Sequence, residues 1–141
     1  MSLSRMVARP MLSSIFVVGA VQALKNADAQ AIKAKPVADR IVPLARRVVP
    51  QFPDDPTLLV RANAGVQIGS ALALATGRAP RLSAAVLAAS LVPTTAAGHR
   101  FWEVDDPEQR TAQKLHFFKN VSLVGGLVIA AGDTDGRPGV A

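Results

Sequence analysis

Polar side chains recur at a spacing of four residues inside two strongly apolar segments of the sequence. Asn63 and Gln67 form one pair, and His116 and Asn120 form the second. Lys119 lies beside the second pair. Residues four apart share one face of a helix, so each pair predicts a polar stripe on an otherwise apolar helix. Facing stripes would form a ligand pocket, whereas separate stripes would be hydrogen-bond cross-links between helices. Both interpretations stay open at this point.

Arg61 joins this candidate set. Like Lys119, it lies only a few residues inside its apolar segment, where a long cationic side chain can reach the membrane surface. The alternative for both residues is therefore a simple interface anchor. The predicted pocket residues are Arg61, Asn63, Gln67, His116, Lys119 and Asn120.

A second group of reactive side chains precedes the last apolar segment. His99 and Glu103 are four residues apart, and with His116 they could in principle bind zinc or iron. No H-E-x-x-H motif or further carboxylate cluster accompanies them, so we predict no metal site. Trp102 is typical of an interfacial aromatic anchor. We expect His99, Trp102 and Glu103 to form an interaction surface, and we assign no catalytic residue.

The composition excludes several kinds of chemistry. The 141 residues include no cysteine, which excludes a disulfide framework, a Cys-type metal site and a thiol nucleophile. The net charge of +6 arises from cations spread in ones and twos between apolar segments. Because no aromatic-interleaved basic stripe appears, we expect no nucleic-acid partner. Basic flanks around apolar spans are instead typical of membrane proteins.

The apolar segments predict an all-α integral membrane four-helix bundle in a single domain, residues 1–141. Hydrophobic residues make up 50% of the chain and charged residues only 18%, and segment 82–91 lacks the polar face of a soluble amphipathic helix. The first segment could alternatively be a cleaved signal peptide ending near 27–29. The predicted spans are residues 6–24, 58–76, 82–98 and 115–131.

The connections between the spans differ in character. Residues 77–81 predict a tight turn and hence an antiparallel hairpin. Residues 25–57 form a long connection at the interface, in which 37–49 is either an amphipathic helix kinked at Pro43 or an irregular proline-rich loop. Residues 132–141 predict an exposed polar tail. Gly65 and Gly69 form a G-x-x-x-G pattern, which predicts close packing between helices.

Several short motifs resemble the DoxX family, and specifically its actinobacterial branch. They are Ala8–Met11, Leu59–Asn63, Ala75–Arg81, Val92–Thr95, Gly98-His99 with Phe101-Trp102, and Gln113 with His116 to Asn120. The resemblance implies a small four-helix protein of the plasma membrane. The family is named for the membrane partner of a thiosulfate:quinone oxidoreductase. The likeness to actinobacterial members of the family implies that the protein acts with a superoxide dismutase and a sulfurtransferase in redox defence.

We therefore expect a non-catalytic accessory or scaffold subunit of a membrane redox or oxidative-stress complex, in contact with membrane lipids. The alternative is a quinone- or lipid-binding oxidoreductase subunit with a polar intramembrane pocket, in which menaquinone would be the ligand. Four spans place both termini on one side of the membrane. We expect that side to be cytoplasmic because two arginines precede the first span, although the opposite side carries more positive charges.

Overall fold

The computed structural model describes residues 2–134, and its regular elements are all helical. A short 3-10 helix, Phe101–Glu103, separates the last two α helices. The five α helices are α1 (Leu3–Lys25), α2 (Ala27–Val48), α3 (Pro56–Ala75), α4 (Pro80–Gly98) and α5 (Pro107–Gly132).

Four of these helices are long and apolar enough to cross a membrane. They are α1, α3, α4 together with the 3-10 helix, and α5, with lengths of 23, 20, 24 and 26 residues. A bilayer core of about 30 Å needs about 20 residues of helix. The predicted all-α membrane bundle with four spans is confirmed, and residues 135–141 of the predicted polar tail lie outside the described residues.

Helix α5 begins eight residues before the apolar segment that predicted it. The Asp106 carboxylate accepts a hydrogen bond from the Gln109 backbone N–H at 2.9 Å, and Pro107 occupies the first turn. Asp55 and Pro56 start α3 in the same way. A capping carboxylate and a proline at the first position are strong helix starts, and they extend each helix beyond its membrane segment.

Helix α2 occupies most of the connection that was predicted as a long loop over 25–57. Of the two alternatives for residues 37–49, the structure has the helix and not the irregular loop, and the helix begins ten residues earlier, at Ala27. It includes Pro43 without ending there. Its buried side chains are mostly small, with Ala31, Ala38 and Val42 packed towards α3 and α4. Ile41 and Leu44 are 43% and 58% exposed, so the buried face of α2 is formed mainly by its small residues.

The spanning helices pack as a chain of neighbours in which α1 contacts α3, α3 contacts α4, and α4 contacts α5. The turn between α3 and α4 has Gly77 at φ 73° and Ala79 at φ 44°, both in the left-handed region. Glycine adopts this conformation without steric cost, which explains Gly77 at the end of α3. The predicted hairpin is therefore present.

The hydrophobic core fills only one half of the bundle. Leu74, Leu87 and Leu127 are fully buried there, together with Phe16 and several alanines. These residues come from the end of α3, the start of α4 and the end of α5. The same half holds the α3–α4 turn and both ends of the described chain. The opposite half, where α2 packs, is organised around polar side chains.

An ion pair joins the beginning and the end of the described chain. The Arg5 guanidinium donates to both Asp133 carboxylate oxygens at 2.7 and 2.9 Å, and an Arg9 nitrogen lies 3.5 Å from the same carboxylate. The Arg9 side chain is nearly buried, at 8% exposure. The carboxylate therefore balances positive charge next to the apolar core, and both ends of the chain lie on one side of the bundle.

We expect Asp133→Asn to lower the free energy of unfolding by about 1–3 kcal/mol, because it removes the charge that both guanidiniums contact. Asp54→Asn is the matched control, since it also removes an arginine partner, Arg46 at 3.1 Å. Asp54 is 74% exposed, so this control should cost at most about 1 kcal/mol. Equilibrium unfolding in mixed micelles measures both, and equal losses would contradict the prediction.

Candidate ligand-binding cavity

A cavity of about 580 Å³ adjoins the hydrophobic core and shares Phe16 and Leu91 with it. All five α helices contribute to its wall, and α2 closes it on one side. Small-molecule sites usually enclose about 300–1,000 Å³ and combine apolar walls with a few polar groups. This cavity has that character. Its apolar wall includes Phe16, Val42, Leu59 and Leu91, and its polar groups come mainly from α3, α4 and α5.

Two amides of α3 are held by hydroxyl groups of α4. Asn63 Nδ2 donates to Thr94 Oγ1 at 3.1 Å, and Gln67 Nε2 donates to Ser90 Oγ at 3.3 Å. The two hydroxyls donate in turn to carbonyl oxygens of their own helix. Since each hydroxyl proton is already used, each hydroxyl must accept from the amide. This fixes the orientation of both amides.

Helix α5 attaches to α4 through the same kind of bond. Asn120 Nδ2 donates to Thr95 Oγ1 at 2.9 Å, and Thr95 Oγ1 donates to the Leu91 carbonyl at 2.7 Å. Asn120 is only 5% exposed, like Gln67 at 6%. Within residues 2–134 no protein donor bonds to the side-chain oxygens of the three cavity amides, which are Asn63, Gln67 and Asn120. These oxygens remain as acceptors at the cavity wall.

The structure brings together four of the six predicted pocket residues. Asn63, Gln67, Lys119 and Asn120 line the cavity, whereas Arg61 and His116 do not. The polar stripes of α3 and α5 form their hydrogen bonds with α4 and not with each other. Helix α4 packs against both helices and supplies hydroxyl partners to each stripe. The stripes therefore act as cross-links and also border a cavity, so the two interpretations are compatible.

The two histidines meet at the loop end of the cavity. The rings of His99 and His116 stack with centroids 5.2 Å apart, and His99 Nδ1 lies 2.7 Å from Gln113 Oε1. Glu103 does not join them, because it pairs with Arg100 at 3.3 Å. In the part of the chain that the structure describes, no three histidine or carboxylate groups are gathered to hold a metal ion.

Trp102 belongs to an aromatic cluster that attaches the 3-10 helix to α5. Its ring meets Phe101 edge-on at 5.2 Å and Phe117 at 5.9 Å, and 57% of the residue is exposed. Glu103 is exposed beside it. Together with His99, these residues lie near one another at this end of the bundle, and their role as an interaction surface stays a prediction.

The predicted packing role of Gly65 and Gly69 is wrong within this chain. Both glycines are exposed, and a methyl group added to either would meet no atom within 4 Å. The face of α3 that is buried instead carries Ala64, Gln67 and Ala71. The small-residue spacing therefore marks the outer face of the helix, since the inner face is selected by the cross-links to α4.

Sequence reasoning missed the α4 hydroxyls and three further polar cavity residues, which are Gln30 and Lys33 on α2 and Gln113 on α5. Ser90 and Thr94 are four residues apart, which is the same spacing that identified the amide pairs. That spacing could have indicated a third polar stripe. Nothing comparable identified Lys33, because it lies in a segment with no predicted helix.

Comparison with known proteins gave one match. The model of the DoxX family matches residues 4–100, which is more than half of the chain and extends from α1 to the end of α4. No curated protein and no solved structure matched. The cavity residues contributed by α5, including Lys119 and Asn120, lie beyond the matched region.

Proposed function

The chain belongs to the DoxX family, and on this premise we propose that it is a membrane subunit, not catalytic by itself, that holds a small amphiphilic ligand. The ligand is a quinone or a lipid, and it occupies the cavity between α2 and the spanning helices. The single observation that carries this proposal is the cavity itself, which has apolar walls and three cross-linked amides with unused acceptor oxygens.

The amide chemistry suits a quinone in both redox states. Asn63 and Asn120 each use one amide N–H in the cross-links and retain the other, which matches a quinone carbonyl. Gln67 Nε2 also contacts Thr94 Oγ1, at 3.5 Å. The amide oxygens match the hydroxyl groups of the reduced quinol. Menaquinone is therefore our first candidate among quinones, with its ring near Asn63 and Gln67 and its isoprenoid tail along the apolar wall.

The accessory role is the second part of the proposal. Because the chain contains no cysteine, a thiol-dependent redox reaction needs a partner protein. By the family resemblance this partner is a superoxide dismutase or a sulfurtransferase. The exposed Trp102 and Glu103 support a contact surface near the cavity. We further propose that the protein is a multi-pass protein of the plasma membrane with cytoplasmic termini.

We expect menaquinone to raise the thermal stability of the purified chain in neutral detergent, and Gln67→Leu to weaken its binding about 3–20-fold. One lost hydrogen bond in a membrane protein is worth about 0.6–1.7 kcal/mol, which corresponds to this range. Gln22→Leu is the matched control, since Gln22 is exposed on α1 and does not line the cavity.

Titration of the thermal shift with menaquinone gives the dissociation constants of the unmodified chain and of each variant. Mass spectrometry of the purified protein tests for a ligand retained from the membrane. If neither menaquinone nor any lipid is retained or raises the unfolding temperature, the proposed function is wrong. Equal affinity of Gln67→Leu and Gln22→Leu for menaquinone would show that the ligand does not contact the Gln67 amide.

A further inference from the structure

Two lysines lie at the cavity from different helices. Lys33 comes from α2 and Lys119 from α5, and both line the cavity together with His99. Both lysine charges are close enough to His99 to interact electrostatically with its ring. The helices that carry them enter the bundle from separate parts of the chain, so the fold itself brings the two positive charges to one end of the cavity.

No carboxylate balances these charges at the cavity. Among the described residues that line it there is no Asp or Glu. Nearby acidic groups are engaged elsewhere, as Asp39 pairs with Lys35 at 2.8 Å and Glu103 with Arg100 at 3.3 Å. Within residues 2–134 no ion pair joins Lys33 or Lys119 to a carboxylate. The polar contact of the Lys119 ammonium is the His116 ring, at 3.5 Å.

The rest of the cavity is suited to a hydrocarbon chain. Beyond the lysines, its wall consists of side chains such as Phe16, Val42 and Leu91, and it runs beside α1, α3 and α4. Lys119 lies near the start of its apolar segment, and Lys33 lies on α2, which is not one of the four candidate spans. Long cationic side chains in such positions can reach the membrane surface. An occupant would therefore have an anionic head at the surface and an apolar chain at greater depth.

We propose that the cavity selects an amphiphile with an anionic head, a carboxylate or a phosphate, which binds between Lys33 and Lys119 while a single acyl chain fills the apolar wall. This inference rests on the proposed function and concerns the lipid among its two ligand classes, which it narrows to an acidic lipid. A neutral head would leave both ammonium groups without a counter-charge, whereas an anionic head forms charge-assisted hydrogen bonds with them.

The test measures the binding of four probes to the full chain in neutral detergent. The probes are oleate, oleoyl lysophosphatidic acid, monoolein and sn-glycerol 3-phosphate. Monoolein carries the same chain with a neutral head, and glycerol 3-phosphate carries the phosphate without the chain. We expect the two acidic lipids to bind at least tenfold more tightly than monoolein, and glycerol 3-phosphate to bind at least tenfold more weakly than the lysophospholipid.

The double variant K33Q/K119Q should reduce the affinity for both acidic lipids to that for monoolein and leave monoolein binding unchanged. Retained monoolein binding shows that the variant is folded and its cavity intact. The control variant K25Q/K114Q removes the same charge from lysines that do not line the cavity, and it should preserve the preference for acidic lipids.

Several outcomes would overturn the inference while the proposed function stands. They are equal affinity for oleate and monoolein, loss of the preference in the control variant, and an unchanged preference in K33Q/K119Q. Equal affinity for glycerol 3-phosphate and the lysophospholipid would identify a site for free phosphate and would also overturn it. If no lipid binds and menaquinone does not bind either, the proposed function itself fails.

Discussion

Replacement of Leu87 by alanine is expected to lower the free energy of unfolding by about 2 kcal/mol. Leu87 is fully buried among Phe16, Leu74 and Leu127. In water-soluble proteins such a truncation costs about 2–5 kcal/mol, part of which is transfer of the side chain to water. In a membrane the unfolded helices remain in lipid, which solvates leucine equally well, so the loss of packing contacts remains as the main term.

Leu82→Ala is the matched control because it makes the same change on the same helix. Leu82 is 66% exposed, and in the membrane its side chain contacts lipid before and after unfolding of the bundle. The control should therefore change the stability by no more than about 0.5 kcal/mol. Unfolding equilibria in mixed micelles measure both variants. If Leu82→Ala were as destabilising as Leu87→Ala, the described core would be wrong.

The second large effect is expected from filling the cavity. Ala34 lies on α2, is partly buried and lines the cavity. The bulk of the indole in Ala34→Trp would occupy the space of a ligand, so we expect the affinity for menaquinone and for oleate to fall at least tenfold. The fully buried leucines of the core, Leu74, Leu87 and Leu127, do not line the cavity, so the unfolding transition should stay close to that of the unmodified chain.

Ala29→Trp controls for the addition of a large aromatic group to α2, because Ala29 is exposed and does not line the cavity. It should bind both probes normally. Ala97→Trp enters the same cavity from α4 and should reproduce the loss of binding. Normal binding by both cavity variants, with wild-type folding, would place the ligand outside the cavity.

The four spans could be predicted from the sequence because each is a predominantly apolar segment of suitable length. The polar stripes could also be predicted, since residues four apart lie on the same face of a helix. Their partners could not, because the neighbour of a helix depends on packing among all the helices. Gln67 bonds to Ser90 on α4 rather than meeting His116 on α5.

Helix α2 shows a different limit of sequence reasoning. Its prolines and charges are typical of an irregular connection, and its buried face is made mainly of alanines. Alanine contributes little to an apolar pattern, yet it allows close approach of helices. The helix is therefore stabilised by its contacts with α3 and α4, and these contacts carry little signal in a single sequence. Lys33 was missed for the same reason.

The fully buried leucines Leu74, Leu87 and Leu127 do not line the cavity, and this affects which amino-acid substitutions the chain can tolerate. A cavity is a packing defect, and enlarging it or altering its polar groups normally costs stability. Here that cost falls around the cavity, while Leu74, Leu87 and Leu127, which do not line it, stabilise the remainder of the core. Substitutions around the cavity can thus change ligand preference during evolution, while the tolerance for them is set by residues that never touch the ligand.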